Sequence, residues 1–318
     1  MKKFKFPRSI TYYHLVDRQV SDLLDAIRDG ALYDYEFKGG VGAETDIGWA
    51  PPADFSDDLY LEHGDAMLLN LRIERKVLPA ALVKREVERE IEKFFRENGY
   101  QPGRKLRKEI KEDTRFRLLS AAPSVYKDVR VLIDISGNRL LIDATSSGHC
   151  SEVLRKLIQL LPGNSADLVR APQENFKQPV SEALDKWVIG DDPSGFEIGN
   201  RAKFVLRGDR NVTYTATDAT RLAMRNLANV CRCTSLALTW QERVSFVLTD
   251  GLQIKSIKLL DVTSDNDQAD EEWRFKNDFV LFVGEMSRTI SSLEKQLAEV
   301  VGRRDEFEDS NDIDDEDL

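Results

Sequence analysis

Residues 236–251 read LALTWQERVSFVLTDG and carry the clearest strand pattern in the chain. The even positions hold six large apolar residues: Leu236, Leu238, Trp240, Val244, Phe246 and Leu248. The odd positions are mostly polar. Because side chains alternate between the two faces of a strand, this period of two predicts one long strand with one buried face.

The segments that follow extend this pattern. Asp250-Gly251 predicts a tight hairpin turn. The returning strand, residues 252–262, shifts its apolar phase between Ile254 and Ile257, which indicates a bulge. Beyond it, apolar residues recur every three or four positions from Phe275 to Val300. This spacing predicts a long helix that packs through one narrow face.

The N-terminal half mixes strands with helices. Strands are predicted at residues 4–15, 66–76, 126–135 and 139–144, and helices at 80–98, 104–119, 147–161 and 180–189. Ser21 is predicted to cap a short helix over residues 22–28. The Gly- and Pro-rich residues 39–52 predict a loop anchored by Trp49. We therefore expect a mixture of strands and helices, with a helical hairpin over residues 79–122 that projects from the body.

The composition excludes several classes of protein. Of the 318 residues, 41% are hydrophobic and 32% are charged, so the chain can bury a core and is not disordered throughout. Three cysteines are too few for a disulfide framework. The N-terminus lacks the apolar region of a signal peptide, and no apolar run approaches the length of a membrane helix. We expect a cytoplasmic protein.

The charge is distributed unevenly. Nine of the acidic residues lie between Asp305 and Asp317, where there is no base, and without them the formal net charge of −10 becomes −1. Residues 305–318 are therefore predicted to be a disordered acidic tail. Such a tail could compete with DNA for a basic surface, or it could serve only to keep the protein soluble.

Signatures of catalysis and cofactor binding are missing from the sequence. It has no Walker loop, no GxGxxG and no GxSxG, and its three histidines are scattered. Cys231 and Cys233 stand two positions apart on a predicted strand and therefore face the same side. Core packing explains them better than a metal site. Cys150 stands near a helix start, which could stabilise a thiolate, although a structural cysteine is the simpler interpretation. We expect no enzyme activity, no cofactor and no metal.

The two helices of the predicted hairpin each carry a row of basic residues. The first row is Arg85, Arg89, Lys93 and Arg96; the second is Arg104, Arg107, Lys108, Lys111 and Arg115, and Lys105 and Arg117 add to it. Residues 72–117 contain 15 bases and 9 acids. Stacked like charges cost helix stability, so the rows indicate a surface that binds phosphates without reading sequence. The alternative is a solvated face balanced by neighbouring glutamates.

Six segments then stand in a distinctive order: residues 48–52 (GWAPP), 76–79 (KVLP), 140–143 (LLID), 236–247, 250–251 and 275–286. In this order and spacing they resemble the RdgC family of bacterial recombination-associated proteins. The resemblance implies an α+β fold with mixed or antiparallel sheets and a projecting helical hairpin. It implies a ring-forming homodimer that encircles or coats double-stranded DNA in the nucleoid. It also implies that the protein restrains a RecA-type recombinase and catalyses no reaction. A protein-interaction module without DNA binding is the main alternative, and an unrecognised DNA-processing enzyme is another.

The resemblance also implies a division of the chain into regions. These are a central region (1–78, continued at 123–162), a helical-hairpin tip (79–122), a base region (163–235), a central long hairpin with the C-terminal helix (236–304) and the tail (305–318). Subunits would meet tip to tip and base to base. Ala121 and Pro123 stand where the family carries an arginine and an aromatic residue of the tip contact, and Thr215-Ala216 stands where it carries Lys-Gln. These contacts are therefore expected to differ here.

Overall fold

The computed structural model describes residues 4–40, 43–161, 163, 168–209, 212–260 and 270–304. The predicted acidic tail and the end of the predicted returning strand, residues 261–262, lie outside this part of the chain. The strands are β1 (Ser9–Leu15), β2 (Thr45–Ala50), β3 (Tyr60–His63), β4 (Ala66–Lys76), β5 (Ser124–Asp134), β6 (Arg139–Ile142), β7 (Val169–Arg170), β8 (Phe196–Leu206), β9 (Thr213–Ala216), β10 (Cys231–Trp240), β11 (Val244–Thr249) and β12 (Ile254–Leu259). The helices are α1 (Asp17–Arg28), α2 (Ala80–Asn98), α3 (Arg104–Ala121), α4 (Ser147–Ile158), α5 (Val180–Ile189), α6 (Arg221–Ala228) and α7 (Glu271–Val301).

The strands of the described residues form one large sheet, so the α+β class is confirmed. Its order is β2-β4-β5-β6-β1-β12-β11-β10-β8-β9, with β3 on β4 and β7 on β1, and every pairing between these strands is antiparallel. The first strand joins the two halves of the sheet. Ser9 and Ile10 pair with β12, whereas residues 11–14 pair with β6.

Apolar side chains are buried on both faces of the N-terminal half of the sheet. Leu68 of β4 packs in the cluster that includes α7, whereas Met67 and Leu69 pack in the cluster that includes α1 and α4. All three side chains are fully buried. A strand covered on both faces needs no polar alternation, which explains the continuous apolar run in β4. The spacing of α7 is also confirmed, since Phe279, Met286 and the other members of its apolar stripe up to Leu297 are buried.

The predicted single long strand over residues 236–248 is wrong. The chain instead turns back after Trp240, and β10 and β11 form a hairpin in which Trp240 pairs with Val244. The turn is closed by the Arg243 N–H, which donates to the carbonyl oxygen of Trp240 at 2.8 Å. Residues 241–243 separate Trp240 from its partner Val244. Because paired residues face the same side of the sheet, the even positions remain on the buried face after the turn. The alternation therefore continues unbroken through a reversal of direction.

The turn contains two strained residues, which provide a stability test. Gln241 and Glu242 have φ angles of 44° and 57°, the left-handed region that a hairpin turn of this type requires and that glycine adopts most easily. We expect Glu242→Gly to stabilise the protein by about 0.5–1 kcal/mol, because it removes this backbone cost. Urea unfolding measures the change. Glu242→Ala is the control, which loses the same side chain but should bring no gain. Equal stabilisation by both variants would contradict the backbone explanation.

Two other predictions from the sequence are wrong. The first helix begins at Asp17 and not at residue 22, and Val16, rather than Ser21, is its N-cap residue. The predicted loop over residues 39–52 contains β2, which pairs with β4. Fully buried Trp49 lies in that strand, so burial and pairing outweigh the local glycine content. Two other predictions are confirmed: the register shifts where β12 pairs with β11, and Cys231 and Cys233 are buried in the core.

Two of the segments that carry the family resemblance meet at a buried carboxylate. Glu285 of α7 is completely buried, and Arg243 Nε donates to its Oε2 at 3.1 Å, while Arg288 Nη2 lies 2.6 Å from its Oε1. Burial raises the pKa of Glu285, but the hydrogen bonds from the two guanidinium groups outweigh it and hold the pKa below its usual value. The carboxylate therefore links the β10–β11 turn to α7.

None of the helices in the described ranges combines the length and the apolar character that crossing a membrane requires.

Candidate nucleic-acid interface

The helices α2 and α3 pack against each other through half-buried apolar side chains. Helix α2 follows Pro79 and ends at Gly99, whose φ of 76° suits the left-handed position after a helix. Val83, Val87 and Phe94 repeat on the side of α2 that borders α3, yet no residue of α2 is fully buried. Only Thr114 and Leu119 of α3 are buried. The pair therefore exposes most of its surface to solvent.

All eleven basic residues predicted to bind DNA are exposed on these two helices. We call Arg85, Arg89, Lys93 and Arg96 the α2 row, and Arg104, Lys108, Lys111 and Arg115 the α3 row. Arg85, Arg89 and Arg96 of the α2 row lie on the side of the helix opposite the apolar residues, whereas Lys93 lines a groove between the two helices. The two rows therefore belong to different surfaces of the helix pair, a distinction that the spacing within each helix did not reveal.

Carboxylates neutralise part of the α2 row. Glu86 lies 2.8 Å from Arg89 and 3.4 Å from Arg85, so both guanidinium groups share one acid. Lys93 and Arg96 have no carboxylate partner among the described residues. The first half of the α2 row is therefore the weaker candidate for phosphate contacts.

Two further predicted residues stabilise the helix pair itself. Arg117 of α3 lies 2.9 Å from Glu90 of α2 and so joins the two helices. Arg107 donates to the carbonyl oxygen of Pro102 at 2.9 Å, which holds the connection between the helices in place. Their charges are engaged within the protein, and their roles are structural as well as electrostatic.

Within the described residues, the α3 row also has two paired and two unpaired cations, but the unpaired Lys105 lies next to it. Lys108 lies 3.7 Å from Glu112, a distance typical of weak exposed ion pairs, and Arg115 lies 2.5 Å from Glu44. Arg104, Lys111 and the adjacent Lys105 have no carboxylate partner within the described ranges. From Arg104 to Arg115 the row extends about 16 Å at 1.5 Å per residue. This length matches about five phosphate steps of one DNA strand at 3.4 Å each.

A groove beside the α3 row adds a residue that sequence reasoning did not single out. The groove has a volume of about 700 Å³, and Lys84 of α2 lines it together with Lys111 and Arg115. Lys84 is separated from these residues by more than twenty positions and falls outside the regular spacing of the α2 row. Only the packing of the two helices brings it beside the α3 row.

The opposite groove between the helices differs in charge. It has a volume of about 330 Å³, and its lining includes Glu90, Glu97 and Asp113 beside Lys93 and Arg117. Acids outnumber bases there. A polyanion would therefore meet its most favourable surface on the side of the α3 row.

Ala121 and Pro123, the two predicted dimer-contact residues, lie where α3 ends. Both are exposed, and the Pro123 carbonyl accepts a hydrogen bond from Val77 N–H at 2.9 Å. Nearby on β5, Val125 and Tyr126 are each 57% exposed. The dimer contact itself stays a prediction.

The described part of the chain contains no group of three or more His, Cys, Asp or Glu side chains that could hold a metal ion. Cys150 is buried in α4, and burial raises the pKa of its thiol. A stabilised thiolate at this helix start is therefore contradicted, and the structural interpretation of Cys150 holds.

Comparison with known proteins finds one matching family model and several similar proteins. The family model described as "RdgC: Putative exonuclease, RdgC" matches residues 10–300. The chain is 34% identical over 278 residues to the recombination-associated protein RdgC of Cupriavidus necator, covering 85% of this chain and 91% of the relative. It is 35% identical to the protein of the same name from Cupriavidus pinatubonensis over 282 residues, with the same coverage. The Bordetella pertussis protein of that name is 32% identical over 276 residues, 83% of this chain and 89% of the relative.

Proposed function

The chain belongs to the RdgC family of recombination-associated proteins, and from this premise we propose that it binds double-stranded DNA without sequence preference and restrains RecA-type recombination. The α3 row is the observation that carries the proposal. It presents exposed cations along about 16 Å of one helix face, and lysine and arginine contacts to phosphates release counterions from the duplex. No base-reading motif accompanies the row, so the contacts would be to the backbone.

The proposal includes a homodimer that closes around the duplex. In that arrangement residues 79–122 are the tip, and Ala121 and Pro123 lie at the contact between tips. Restraint of the recombinase follows from occupation of the DNA on which a recombinase filament would assemble, and it needs no catalytic step. The protein would then be found with the nucleoid.

The experiment that tests this proposal compares a closed circular duplex with the same duplex linearised, over a series of salt concentrations. We expect salt-sensitive binding to both forms, and we expect complexes on the circle to survive at higher salt because an encircling dimer cannot slide off an end. Mg²⁺ is added in parallel, and no cleavage is expected. Binding to neither form would overturn the proposal, and equal survival on both would remove the encircling dimer from it.

A protein-interaction module is the second candidate, favoured by exposed apolar side chains where α2 and α3 meet the sheet. Phe116 is 64% exposed, and Val125 and Tyr126 lie on the strand that follows α3. Exposed apolar clusters often mark protein-binding surfaces. This candidate predicts no DNA affinity at physiological salt, so the same titration separates it from DNA binding.

A further inference from the structure

A cavity of about 620 Å³ opens beside the C-terminal end of α7, distant in sequence from the α2–α3 pair. Its lining includes Glu294 and Lys295 of α7, His14 of β1 and Arg139 of β6. The chain that leaves α7 passes along its edge at Arg303. We call this space the α7 cavity. None of its residues belongs to the proposed DNA surface.

Glu294 has hydrogen-bonding and charged partners inside the α7 cavity, whereas three cations in or beside the cavity have no carboxylate partner among the described residues. His14 Nε2 lies 2.7 Å from Glu294 Oε1, and Arg139 Nη2 lies 3.3 Å from Glu294 Oε2, so the deepest acid has its own partners. Glu299, the second lining acid, accepts a hydrogen bond from the neutral Gln296 amide at 3.1 Å, so its charge is not neutralised. Lys295 and Arg303 line the cavity, and Arg304 is the next residue of the chain; all three are exposed and have no carboxylate partner among the described residues.

The acidic segment starts beside this cavity. The Arg304 N–H donates to the carbonyl oxygen of Asn175, another lining residue, at 2.9 Å, and Arg303 forms a bridge with Phe176. The next residue is Asp305, the first of the nine acids in a segment without a base. Two of the three unpaired cations, Arg303 and Arg304, therefore stand directly before the nine anions in the chain.

We propose that the α7 cavity is the docking site of residues 305–318 of the same chain. Charge complementarity selects an acidic occupant, and the direct connection selects this segment. The entropic cost of closing a loop rises with the length of the chain between its ends. Because the segment starts two residues after Arg303, which lines the cavity, its effective concentration at the cavity is high. The α3 row offers similar charge, but the segment would have to reach another part of the fold.

Zero-length cross-linking of the full chain with a carbodiimide tests this inference without DNA. The reagent joins a lysine amine to a carboxylate in direct contact, and trypsin cleavage after Arg304 releases residues 305–318 as one peptide for mass spectrometry. We expect the cross-link from Lys295 to this peptide to exceed the cross-links from Lys84, Lys105, Lys108 and Lys111 at least fivefold, and to disappear in 0.5 M salt, as expected where the Debye length is only a few ångströms.

A matched pair of variants separates docking from simple exposure. Arg303→Gln should lower the Lys295 cross-link at least threefold, whereas Lys186→Gln, which removes an exposed cation outside the cavity, should leave it unchanged. An equal mixture of ¹⁵N-labelled and unlabelled protein shows whether both peptides come from one chain. Mixed-isotope cross-links, a preference for the α2–α3 lysines, or equal yields in the two variants would each overturn the proposal. Because no DNA is present, none of these outcomes depends on the DNA-binding proposal.

Discussion

Replacing Arg104, Lys108 and Lys111 by glutamate is expected to lower the affinity for duplex DNA at least about 500-fold at 0.1 M salt. Each lost phosphate contact removes about 0.9 from the slope of log K against log salt concentration, so three contacts remove about 2.7. Between 1 M salt, where the phosphate contacts contribute little, and 0.1 M salt, a slope difference of about 2.7 changes the affinity about 500-fold. Repulsion by the new carboxylates adds to this loss. The loss should be equal on unrelated sequences, because phosphate contacts carry no sequence information. Fluorescence anisotropy titrations at several salt concentrations measure both quantities.

A control variant of equal charge separates local contact from net charge. Arg155, Lys186 and Lys258 are exposed cations on α4, α5 and β12, and replacing them by glutamate changes the net charge by the same amount. We expect only a small loss of affinity and an unchanged slope. If both triple variants lose affinity equally, the α3 row is not the DNA surface. If neither loses affinity, DNA binding must be assigned to another part of the chain.

Replacing Arg139 by alanine is expected to destabilise the fold by about 3–5 kcal/mol, the usual cost of leaving buried charges without their partner. The Arg139 side chain is 10% exposed, and it lies 3.9 Å from Asp134 and 3.3 Å from Glu294. It also donates to Ser287 Oγ at 3.1 Å and to Ser291 Oγ at 2.9 Å, so it links β6 to α7. Urea unfolding at pH 7 measures the change in the free energy of unfolding.

The acid side of the stability profile gives a second measurement. Burial raises the pKa of Glu294, but the hydrogen bond with His14 and the charges of His14 and Arg139 outweigh it and lower the pKa. A pKa that is lower in the folded state contributes stability above the unfolded value of about 4.3, and this contribution is lost as the pH falls. Arg139→Ala should therefore lose less stability than the wild type between pH 6 and pH 3.

An exposed ion pair supplies the control for Arg139. Arg28 lies 2.5 Å from Glu62, but its side chain is 41% exposed, so Arg28→Ala is expected to cost less than about 1 kcal/mol. Arg139→Met combined with Glu294→Met should recover part of the loss, because it removes the unpaired charge of Glu294, while Asp134 still lacks Arg139. A cost of Arg139→Ala as small as that of Arg28→Ala would contradict the role given to this buried network.

Local sequence patterns predicted most of the secondary structure because they report which side chains are buried. The period of two in β10 and β11 identified their buried face correctly, yet it concealed the turn at residues 241–243. A loop of three residues preserves the even-odd pattern, so no change of phase marks the reversal. The glycines and prolines of residues 39–52 predict a loop. These residues nevertheless contain β2, because pairing with β4 and burial of Trp49 in the core outweigh this local preference.

Sequence by itself determined the helices α2 and α3 and the exposure of their basic rows, because periodicity and charge spacing are properties of neighbouring residues. The α+β class followed from the resemblance of the sequence to a family. Tertiary structure alone decided which charges remain unpaired. Glu44 reaches Arg115 across 71 positions, and Arg243 reaches Glu285 across 42. It also decided that Lys84 joins the α3 row and that Arg303 borders a cavity with His14. These arrangements depend on distances in space, and Coulomb interactions and hydrogen bonds act over such distances whatever the separation along the chain.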